Sequence, residues 1–360
     1  MGDTHFGHAK FYEESLIQGS EALRELSKTV DIIIHAGDMF DIRLPTFNTL
    51  KDVIKLFQEI KRTNIPVVAI KGNHDRRSPG FVDSITLLNE IGLIIHKNWE
   101  VFSFEKNGET ISILSIGNVP DDEARNVIEQ VVEKNKQKMK GFKILVIHQN
   151  IDEYGPFASF NISFLESLGF DLIINGHIHK RIIERDLIIP GSTVATKLNE
   201  EELTEPRGYV VFDTKTKTAE KINIKNQRKG FYIKKVFKRA SVDEVEKEIM
   251  ETYNKIKSQE NKFILKIKLE GTLKEGVSPS NVKIPNIPFL YIQNDLNSEE
   301  IQMKTIQLKE FRTNKINLNQ TVEEKLNELL KDKMKLSPTR TYNELLEEKE
   351  DEWIEKKLGE

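Results

Sequence analysis

Residues 171–179 read DLIINGHIH, a short apolar run followed at once by a glycine and two histidines. The run predicts a buried β-strand over Asp171–Ile174, and the histidines come directly after its end. His177 and His179 are separated by one residue, so both side chains point to the same side of an extended segment. Two imidazoles placed in this way can serve adjacent metal ions.

Four further polar blocks stand at the end of an apolar run or at the chain start: Gly2-Asp3-Thr4-His5, Gly37-Asp38-Met39-Phe40-Asp41, Gly72-Asn73-His74-Asp75 and His148. Each block is weak by itself, because a Gly-Asp pair after a strand is usually a turn and a lone histidine is usually a satisfied surface or core residue. Together the blocks hold five of the eight histidines. They converge on one site if their strands are neighbours in a sheet.

The residue types in these blocks favour a particular metal chemistry. Imidazoles, carboxylates and an amide oxygen suit Mn²⁺, Fe²⁺ or Zn²⁺ better than Mg²⁺ or Ca²⁺, which prefer oxygen ligands alone. One carboxylate can bridge two ions, which in two-metal hydrolysis lie about 3.5–4 Å apart, clamp the phosphate and lower the pKa of a bound water. The chain has no cysteine, which excludes thiolate zinc sites, iron–sulfur clusters and a cysteine nucleophile.

The first part of the chain has an α/β pattern, in which β-branched runs alternate with amphipathic stretches up to about residue 225. The patterns predict strands at Asp31–His35, Pro66–Ile70, Ile111–Ile116 and Lys143–Ile147, helices at Phe11–Leu26, Thr46–Ile60 and Asp121–Lys136, and a closing hairpin of Gly208–Asp213 and Ala219–Ile224.

The pattern changes at Lys225. A basic strand (Phe231–Phe237), an amphipathic helix (Val242–Ile256) and another strand (Phe263–Leu269) predict a small separate α/β unit. After about residue 310 only helical patterns remain, at Thr321–Met334 and Thr341–Leu358. The last predicted helix has an apolar stripe, which is consistent with packing against the rest of this chain or with docking on a partner.

Composition gives weaker evidence on the cellular location and the substrate than the motifs give on the metal site. The sequence has neither an apolar run long enough to span a bilayer nor a secretion signal, and it lacks cysteine, so we expect a cytoplasmic protein with no membrane contact. The formal net charge of −3 gives no general attraction to polyanions. Binding of DNA would therefore depend on a local basic surface.

The order Asp-x-His, Gly-Asp-x-x-Asp, Gly-Asn-His-Asp, His, Gly-His-x-His resembles the calcineurin-like metallophosphoesterase superfamily over about the first 225 residues. The resemblance implies a four-layer α/β/β/α sandwich. It implies that Asp3, His5, Asp38 and His179 hold one ion, that Asp38, Asn73, His148 and His177 hold the other, and that His74 donates a proton to the leaving oxygen.

Within this superfamily, the sequences of four segments are similar to those of the Mre-eleven/SbcD nuclease branch, archaeal type. The segments are residues 3–8 (DTHFGH), 37–41 (GDMFD), 176–181 (GHIHKR) and 189–193 (IPGST). This branch implies a nuclease domain over 1–225, a capping and DNA-binding domain over 226–305 and a helical tail over 306–360. In the family the tail docks on the coiled-coil base of an ABC-type repair ATPase (Rad-fifty/SbcC type).

The branch also implies an activity. It is Mn-dependent 3′–5′ exonuclease action on duplex ends and endonuclease action on single strands, in DNA double-strand-break repair, with two Mn²⁺ or with Fe²⁺ or Zn²⁺ in their place. The family dimerises through the segments around Thr46–Ile60 and Phe81–Ile91, so we expect a homodimer. Two rivals use the same core: a phosphatase or cyclic-nucleotide phosphodiesterase, and a scaffold without catalytic activity.

The chain departs from the family at its start, because the family's first metal ligand follows a central strand and Asp3 follows only Met1 and Gly2. We favour a lost apolar strand of about five or six residues. The alternative is a frayed terminus on which Asp3 and His5 are poorly held.

Two further positions also differ from relatives. Asp41 stands where many relatives have histidine, and we expect it to orient His74 or a metal-bound imidazole, a supporting role that Asp75 also suits. His8 stands where relatives often have an aromatic residue, so we expect it at the rim of the pocket.

The basic tract over Lys225–Arg239 is either an ordinary strand with one solvated face or a surface that contacts DNA phosphates. Because the resemblance places this tract in the capping domain, we favour the interpretation that it contacts DNA phosphates. The candidate DNA-binding residues are Arg228, Lys229, Lys234 and Lys235 in this tract, and Arg76, Arg77, Lys180 and Arg181 near the ligand blocks.

Overall fold

The structure is a computed structural model that describes residues 1–78, 80–155, 158 and 160–298. The predicted tail over 306–360, with its two helices, lies outside the described residues. The helices are α1 (Tyr12–Thr29), α2 (Phe47–Lys61), α3 (Ser84–Glu90), α4 (Asp121–Lys136), α5 (Ile162–Ser167), α6 (Glu200–Thr204) and α7 (Val242–Gln259). The strands are β1 (Ile33–His35), β2 (Val67–Ala69), β3 (Glu100–Lys106), β4 (Glu109–Ser115), β5 (Phe142–His148), β6 (Leu172–Gly176), β7 (Ile182–Glu184), β8 (Leu187–Ile189), β9 (Gly208–Asp213), β10 (Thr218–Asn223), β11 (Lys229–Ala240), β12 (Phe263–Leu273) and β13 (Leu290–Ser298).

Four layers build the first part of the chain. A six-stranded sheet in the order β3-β4-β5-β6-β8-β7 forms one β layer, with β4, β5, β6 and β8 parallel. The parallel pair β1–β2 and the antiparallel hairpin β9–β10 form the other. Apolar side chains fill the space between the β layers, for example Val68 and Val210 against Ile113 and Val146. The predicted α/β/β/α sandwich is confirmed.

Helices cover both outer faces because each has one apolar stripe. In α2 the buried residues Val53, Leu56, Phe57 and Ile60 follow the helical repeat and pack in one cluster with side chains of α1, β1 and β2. The Thr46 side chain caps α2 by accepting from the backbone N–H of Thr49 at 3.2 Å. On the opposite face, α4 and α5 pack on β5 and β6.

Parallel pairing brings the ligand blocks to one edge. The strands β1 and β2 pair in parallel, as do β5 and β6, and in each case the polar block begins where the strand ends. His148 is the last residue of β5, and His177 follows the last residue of β6. The carboxyl ends of the parallel strands therefore bring the blocks together in two pairs, and the hydrogen bond from His148 Nδ1 to the Ala36 carbonyl at 2.7 Å joins the two sheets at this edge.

The first residues are tied into this edge. The backbone O of Met1 accepts from Ala36 N at 2.9 Å, Gly2 forms a parallel bridge with Ser192, and Asp3 N donates to Gly37 O at 2.9 Å. Burial lowers the pKa of the Met1 amino group to about 5. The alternative of a frayed terminus is therefore wrong, because backbone hydrogen bonds hold Asp3 in place, and the favoured lost strand remains a prediction.

A cavity of about 420 Å³ adjoins Met1, and its lining includes Ile34, Ile174, Ile188 and Val210 from the two β layers. Among the described residues, no helix is both long and apolar enough to cross a membrane.

The described chain divides into two compact units. The first contains Met1–Ile233, Thr252–Ile267 and Asn286–Ile292, and the second contains Lys234–Glu251, Lys268–Pro285 and the described residues from 293 on. The predicted small α/β unit corresponds to α7 and a three-stranded sheet in the order β11-β12-β13, whose strands contribute to both units. The predicted boundary between residues 225 and 226 remains a prediction.

Candidate metal centre

Among the described residues, three groups of side chains stand close enough to hold a metal ion, with ligand atoms within 4.8 Å of one another in each group. The groups are Asp3 with His5 and His179, Asp38 with His148 and His177, and His5 with Asp38 and His74. The first two groups correspond to the two sets implied by the sequence resemblance. The described structure therefore brings together the side chains that the sequence placed in separate blocks.

The first group surrounds the Nε2 atoms of two histidines. His5 Nε2 and His179 Nε2 lie 3.3 Å apart, and His179 Nε2 lies 3.9 Å from Asp3 Oδ1. Asp3 is fully buried, and its Oδ2 has no hydrogen-bond partner among the described residues. A buried carboxylate oxygen without a donor is costly unless a cation or another donor satisfies it. These donors fit a divalent ion.

The second group is built around Asn73. Its Oδ1 lies 2.9 Å from His177 Nδ1 and 3.1 Å from His148 Nε2. His148 Nδ1 donates to the carbonyl of Ala36 at 2.7 Å, which leaves Nε2 directed into the group. An amide oxygen and two imidazole nitrogens facing one point form a mixed donor set of the type that manganese, iron and zinc accept.

Asp38 joins the two groups. Its Oδ2 lies 3.3 Å from His148 Nε2 and 4.0 Å from His5 Nε2, so it faces ligands of both sets. Its Oδ1 accepts from the backbone N–H of His74 at 2.8 Å, which fixes the carboxylate. The geometry suits the bridging position that the resemblance implies.

The backbone of the ligands is strained. Asp3, His5, Asp38 and His177 all have positive φ, at 52°, 43°, 50° and 74°. Such conformations cost about 1–3 kcal/mol each and cluster at functional sites. The segments that carry Gly72 and Asp38 approach each other so closely that only glycine fits at position 72, because a Cβ there would lie 2.0 Å from Asp38 Oδ1.

The buried ionisable side chains of the centre have shifted pKa values. Burial raises the pKa of Asp3 to about 7. Burial lowers the pKa of His148, but the charge of Asp38 and the hydrogen bond to it raise the pKa overall, to about 9. Burial and the neighbouring His148 lower the pKa of His177 to about 3. Protons therefore occupy positions that a dication would take, and metal binding must displace them.

Comparison with known proteins gives the family. Residues 1–181 match the sequence profile of the family described as calcineurin-like phosphoesterase. The chain belongs to the calcineurin-like phosphoesterase family. This is a family of metal-dependent phosphoester hydrolases with a dinuclear metal site, and the two ligand groups of this chain fit such a site.

The similar proteins include several archaeal ones described as DNA double-strand break repair protein Mre11. The one from Saccharolobus solfataricus is 30% identical over 50% of this chain and 49% of its own length. Those from Sulfolobus acidocaldarius and Methanocaldococcus jannaschii are each 26% identical, over 76% and 85% of this chain and 74% and 87% of their own length. These relatives confirm the predicted resemblance to the Mre-eleven/SbcD branch.

Among solved structures, the protein TT1561 of Thermus thermophilus is similar over 59% of this chain and 93% of its own, at 12% identity and a TM-score of 0.42, which is too low to add to the family match.

Two further carboxylates support this phosphoesterase centre. Asp75 is buried and accepts from the backbone N–H groups of Gly72, Met39 and Phe40 at 2.9, 3.2 and 3.1 Å. It thereby joins the loop of Asn73 to the loop of Asp38, a supporting role of the kind expected. Asp41 Oδ1 lies 3.3 Å from His5 Nδ1, so its carboxylate faces a ligand histidine.

Glu202 is a supporting residue that the sequence did not reveal. Its Oε1 lies 2.9 Å from His179 Nδ1, and its Oε2 accepts from the backbone N–H groups of Thr196 and Lys197 at 2.7 and 2.9 Å. Burial would raise the pKa of Glu202, but the hydrogen bond and charge of His179 lower it to about 2. The only sequence signal is Asn199, which caps α6 and accepts from Glu202 N.

Two other histidines have defined positions. His74 Nδ1 contacts the backbone carbonyl of Asp41, and its ring lies edge-on to His5 with 4.9 Å between centroids. His8 does not lie at an open rim: it is buried, stacks on Phe11, and accepts from the backbone N–H of Phe11 through Nδ1 at 3.2 Å.

The candidate DNA-binding residues all make contacts within the chain. Arg228 pairs with Glu14 at 2.7 Å and lies over the Phe289 ring. The others contact acidic side chains, backbone carbonyls or rings: Lys180 with Glu201 and Glu205, Arg181 with Pro206 and Asn223, Lys234 with Glu270, Lys235 with Glu248, Arg76 with Asn118, Arg77 with Val82, and Lys229 with Phe231. Their role in DNA binding remains a prediction.

Proposed function

We propose that this chain is a nuclease that hydrolyses phosphodiester bonds of DNA in double-strand-break repair. The observation that carries the proposal is Asp38, which faces both ligand groups while its second oxygen is fixed by the His74 backbone. Two bound ions, Mn²⁺ or in its place Fe²⁺ or Zn²⁺, would supply phosphate binding and water activation in this centre. The names of the archaeal relatives support DNA as the substrate.

His74 is proposed to protonate the leaving oxygen. His74 follows Asn73 directly in the chain, and its backbone N–H donates to Asp38 Oδ1 at 2.8 Å. When Nδ1 donates to the Asp41 carbonyl, the opposite nitrogen, Nε2, is available to give a proton to the oxygen that departs.

The same proposal includes the direction of digestion, the cellular location and a protein partner. We propose 3′–5′ exonuclease action on duplex ends, endonuclease action on single strands and a cytoplasmic location. Residues 306–360 are proposed to bind an ABC-type coiled-coil repair ATPase, and the likeness to the Mre11 relatives supports this partner.

A homodimer is proposed through the segments around α2 and α3. Large apolar side chains are exposed there: Phe47 is 92% exposed, Phe81 63% and Leu44 61%. Exposed apolar residues of this size favour an interface, because burying them removes apolar surface from water.

The proposed activity is tested with end-labelled duplex and single-stranded DNA in the presence of Mn²⁺. The intact chain is expected to cut both, and its His74→Asn variant is expected to lose about 10²–10⁴-fold in rate, the usual contribution of a general acid. A phosphomonoester is offered in parallel. Turnover of the monoester without cleavage of DNA would replace the proposal by the phosphatase rival, and no turnover of either would favour the scaffold.

A further inference from the structure

A second cavity lies beside the loop that carries Asn73 and His74. Its volume is about 330 Å³, and its lining includes Lys71, Arg76, Asn98, Trp99 and Asn118. This volume is within the range of pockets that bind small molecules, about 300–1,000 Å³. We call it the Trp99 pocket.

The pocket is joined to the metal centre by hydrogen bonds. Asn118 Nδ2 donates to the backbone carbonyl of His148 at 3.1 Å, and Asn118 N donates to the carbonyl of Lys71 at 2.8 Å. Arg76 is two residues after His74 and donates to the Asn118 backbone O and Oδ1 at 3.0 and 3.2 Å. A molecule in the pocket would therefore lie next to the residues that surround the reacting phosphate.

Trp99 is the unusual residue of the pocket. Its side chain is 50% exposed, although an indole gains more than most side chains from burial. Its φ is +62°, a conformation that is rare for a bulky residue and is often retained for function. The backbone is held in this conformation, since Trp99 N donates to Ser115 O at 2.7 Å and Trp99 O accepts from Asn135 Nδ2 at 3.2 Å. The fold therefore presents an indole ring at the pocket.

The charges of the pocket suit a ligand with an anionic group. Lys71 is neutralised by Asp83, with Nζ and Oδ2 2.7 Å apart. Arg76 and Arg77 stand against one further acid in the lining, Glu123. Arg76 contacts only the neutral amide and carbonyl of Asn118 in the hydrogen bonds described, so its charge is available to a phosphate.

We propose that the Trp99 pocket binds one unpaired nucleotide of a DNA strand, with the base stacked on the Trp99 indole and a phosphate beside Arg76. The proposal rests on the proposed nuclease function for its substrate class. Aromatic side chains bind unpaired bases of any sequence by stacking, and arginine adds electrostatic attraction to the backbone. The pocket would hold the strand next to the phosphodiester bond that is cut.

Fluorescence tests the pocket without hydrolysis. The chain has two tryptophans, Trp99 and Trp353, so a Trp353→Phe background reports Trp99 alone. A short oligothymidylate is titrated in EDTA. We expect saturable quenching of the Trp99 emission, and no comparable quenching by inorganic phosphate. An absence of quenching, or equal quenching by phosphate alone, overturns the proposal.

Affinity is then measured on the full chain by anisotropy of a labelled oligothymidylate. Trp99→Leu is expected to bind roughly 5- to 150-fold more weakly, the effect of losing one stacked base, and Trp99→Phe to recover most of the affinity. Arg76→Gln is expected to weaken binding, whereas Arg125→Gln, which removes an arginine paired with Glu129 on α4, is the matched control. Equal affinity of Trp99→Leu and the parent chain contradicts the proposal.

The fluorescence and cleavage experiments together distinguish a failure of the pocket proposal from a failure of the nuclease proposal. Quenching without any DNA cleavage in Mn²⁺ leaves the pocket and removes the proposed function. Cleavage without quenching removes the pocket and leaves the nuclease.

Discussion

Replacement of Glu202 by glutamine is expected to weaken metal binding by the group of Asp3, His5 and His179. Glu202 Oε1 lies 2.9 Å from His179 Nδ1 and keeps the ring proton on that atom, so that Nε2 presents its lone pair to the other ligands. The second oxygen accepts from Thr196 N and Lys197 N. The variant keeps its amide oxygen on these N–H groups and turns its NH₂ toward His179. The ring proton is then favoured on Nε2, where it blocks the metal.

The magnitude follows from the effect of removing such a partner, which is about 10- to 100-fold in metal affinity, or about 1.4–2.7 kcal/mol. The assay is calorimetric titration of the metal-free chain with Mn²⁺. The parent is expected to bind two ions, and Glu202→Gln to bind one ion as before and the other more weakly. Circular dichroism and thermal unfolding establish that the variant is folded.

Glu201→Gln is the matched control, because Glu201 belongs to the same helix and pairs with Lys180 at its exposed surface. It is expected to bind both ions like the parent. If Glu202→Gln also binds both ions with unchanged affinity, or if the control loses as much, the carboxylate does not act through His179 and the reasoning is refuted.

Three other perturbations have expected outcomes. The affinity for Mn²⁺ should rise between pH 6 and pH 9, because the proton on His148, whose pKa is about 9, must leave; calorimetry at several pH values showing no such rise would contradict this. Burial lowers the pKa of His35 to about 3, so the folded chain binds fewer protons than the unfolded chain below about pH 6.5 and loses about 1.4 kcal/mol of stability per pH unit as the pH falls toward 3. Urea unfolding should show a flatter pH dependence for His35→Leu, and an unchanged slope would exclude this source. Gly72→Ala should destabilise the fold by about 1–3 kcal/mol and abolish binding of both ions, since the added methyl meets Asp38, whereas Gly155→Ala, whose added methyl lies in ordinary contact 3.6 Å from Asn150 Oδ1, should do neither in the same assays.

The sequence predicted the elements whose signal is local. The run 171–174 and the longer buried strands β4 and β5 were predicted because continuous apolar runs bounded by polar blocks occur there. The strand β3 was missed because its residues are mostly exposed and include charged side chains, as an edge strand allows. The short strands β7 and β8 were missed because three residues are too few to show a period.

The candidate site was predictable to the extent that its ligands follow strands. Asp38 could be placed beside Asn73 because the parallel strands β1 and β2 end together. His148 could be placed beside His177 because β5 and β6 also end together. Glu202 could not, since Asn199 marks only the start of α6 and does not show which residue of the acidic run 200–202 contacts His179. The acidic partners of the basic residues could not be predicted from the sequence either, since Arg228, for example, contacts Glu14, which is 214 positions away in the chain. Long-range pairing of this kind depends on the tertiary fold.

The central claim, that this chain holds two ions bridged by Asp38, is tested most directly by anomalous diffraction from crystals grown with Mn²⁺. We expect two anomalous peaks about 3.5–4 Å apart, the usual separation in two-metal sites, with Asp38 between them. One peak should lie against Asp3, His5 and His179, and the other against Asn73, His148 and His177. A single peak, or peaks away from these side chains, would contradict the account.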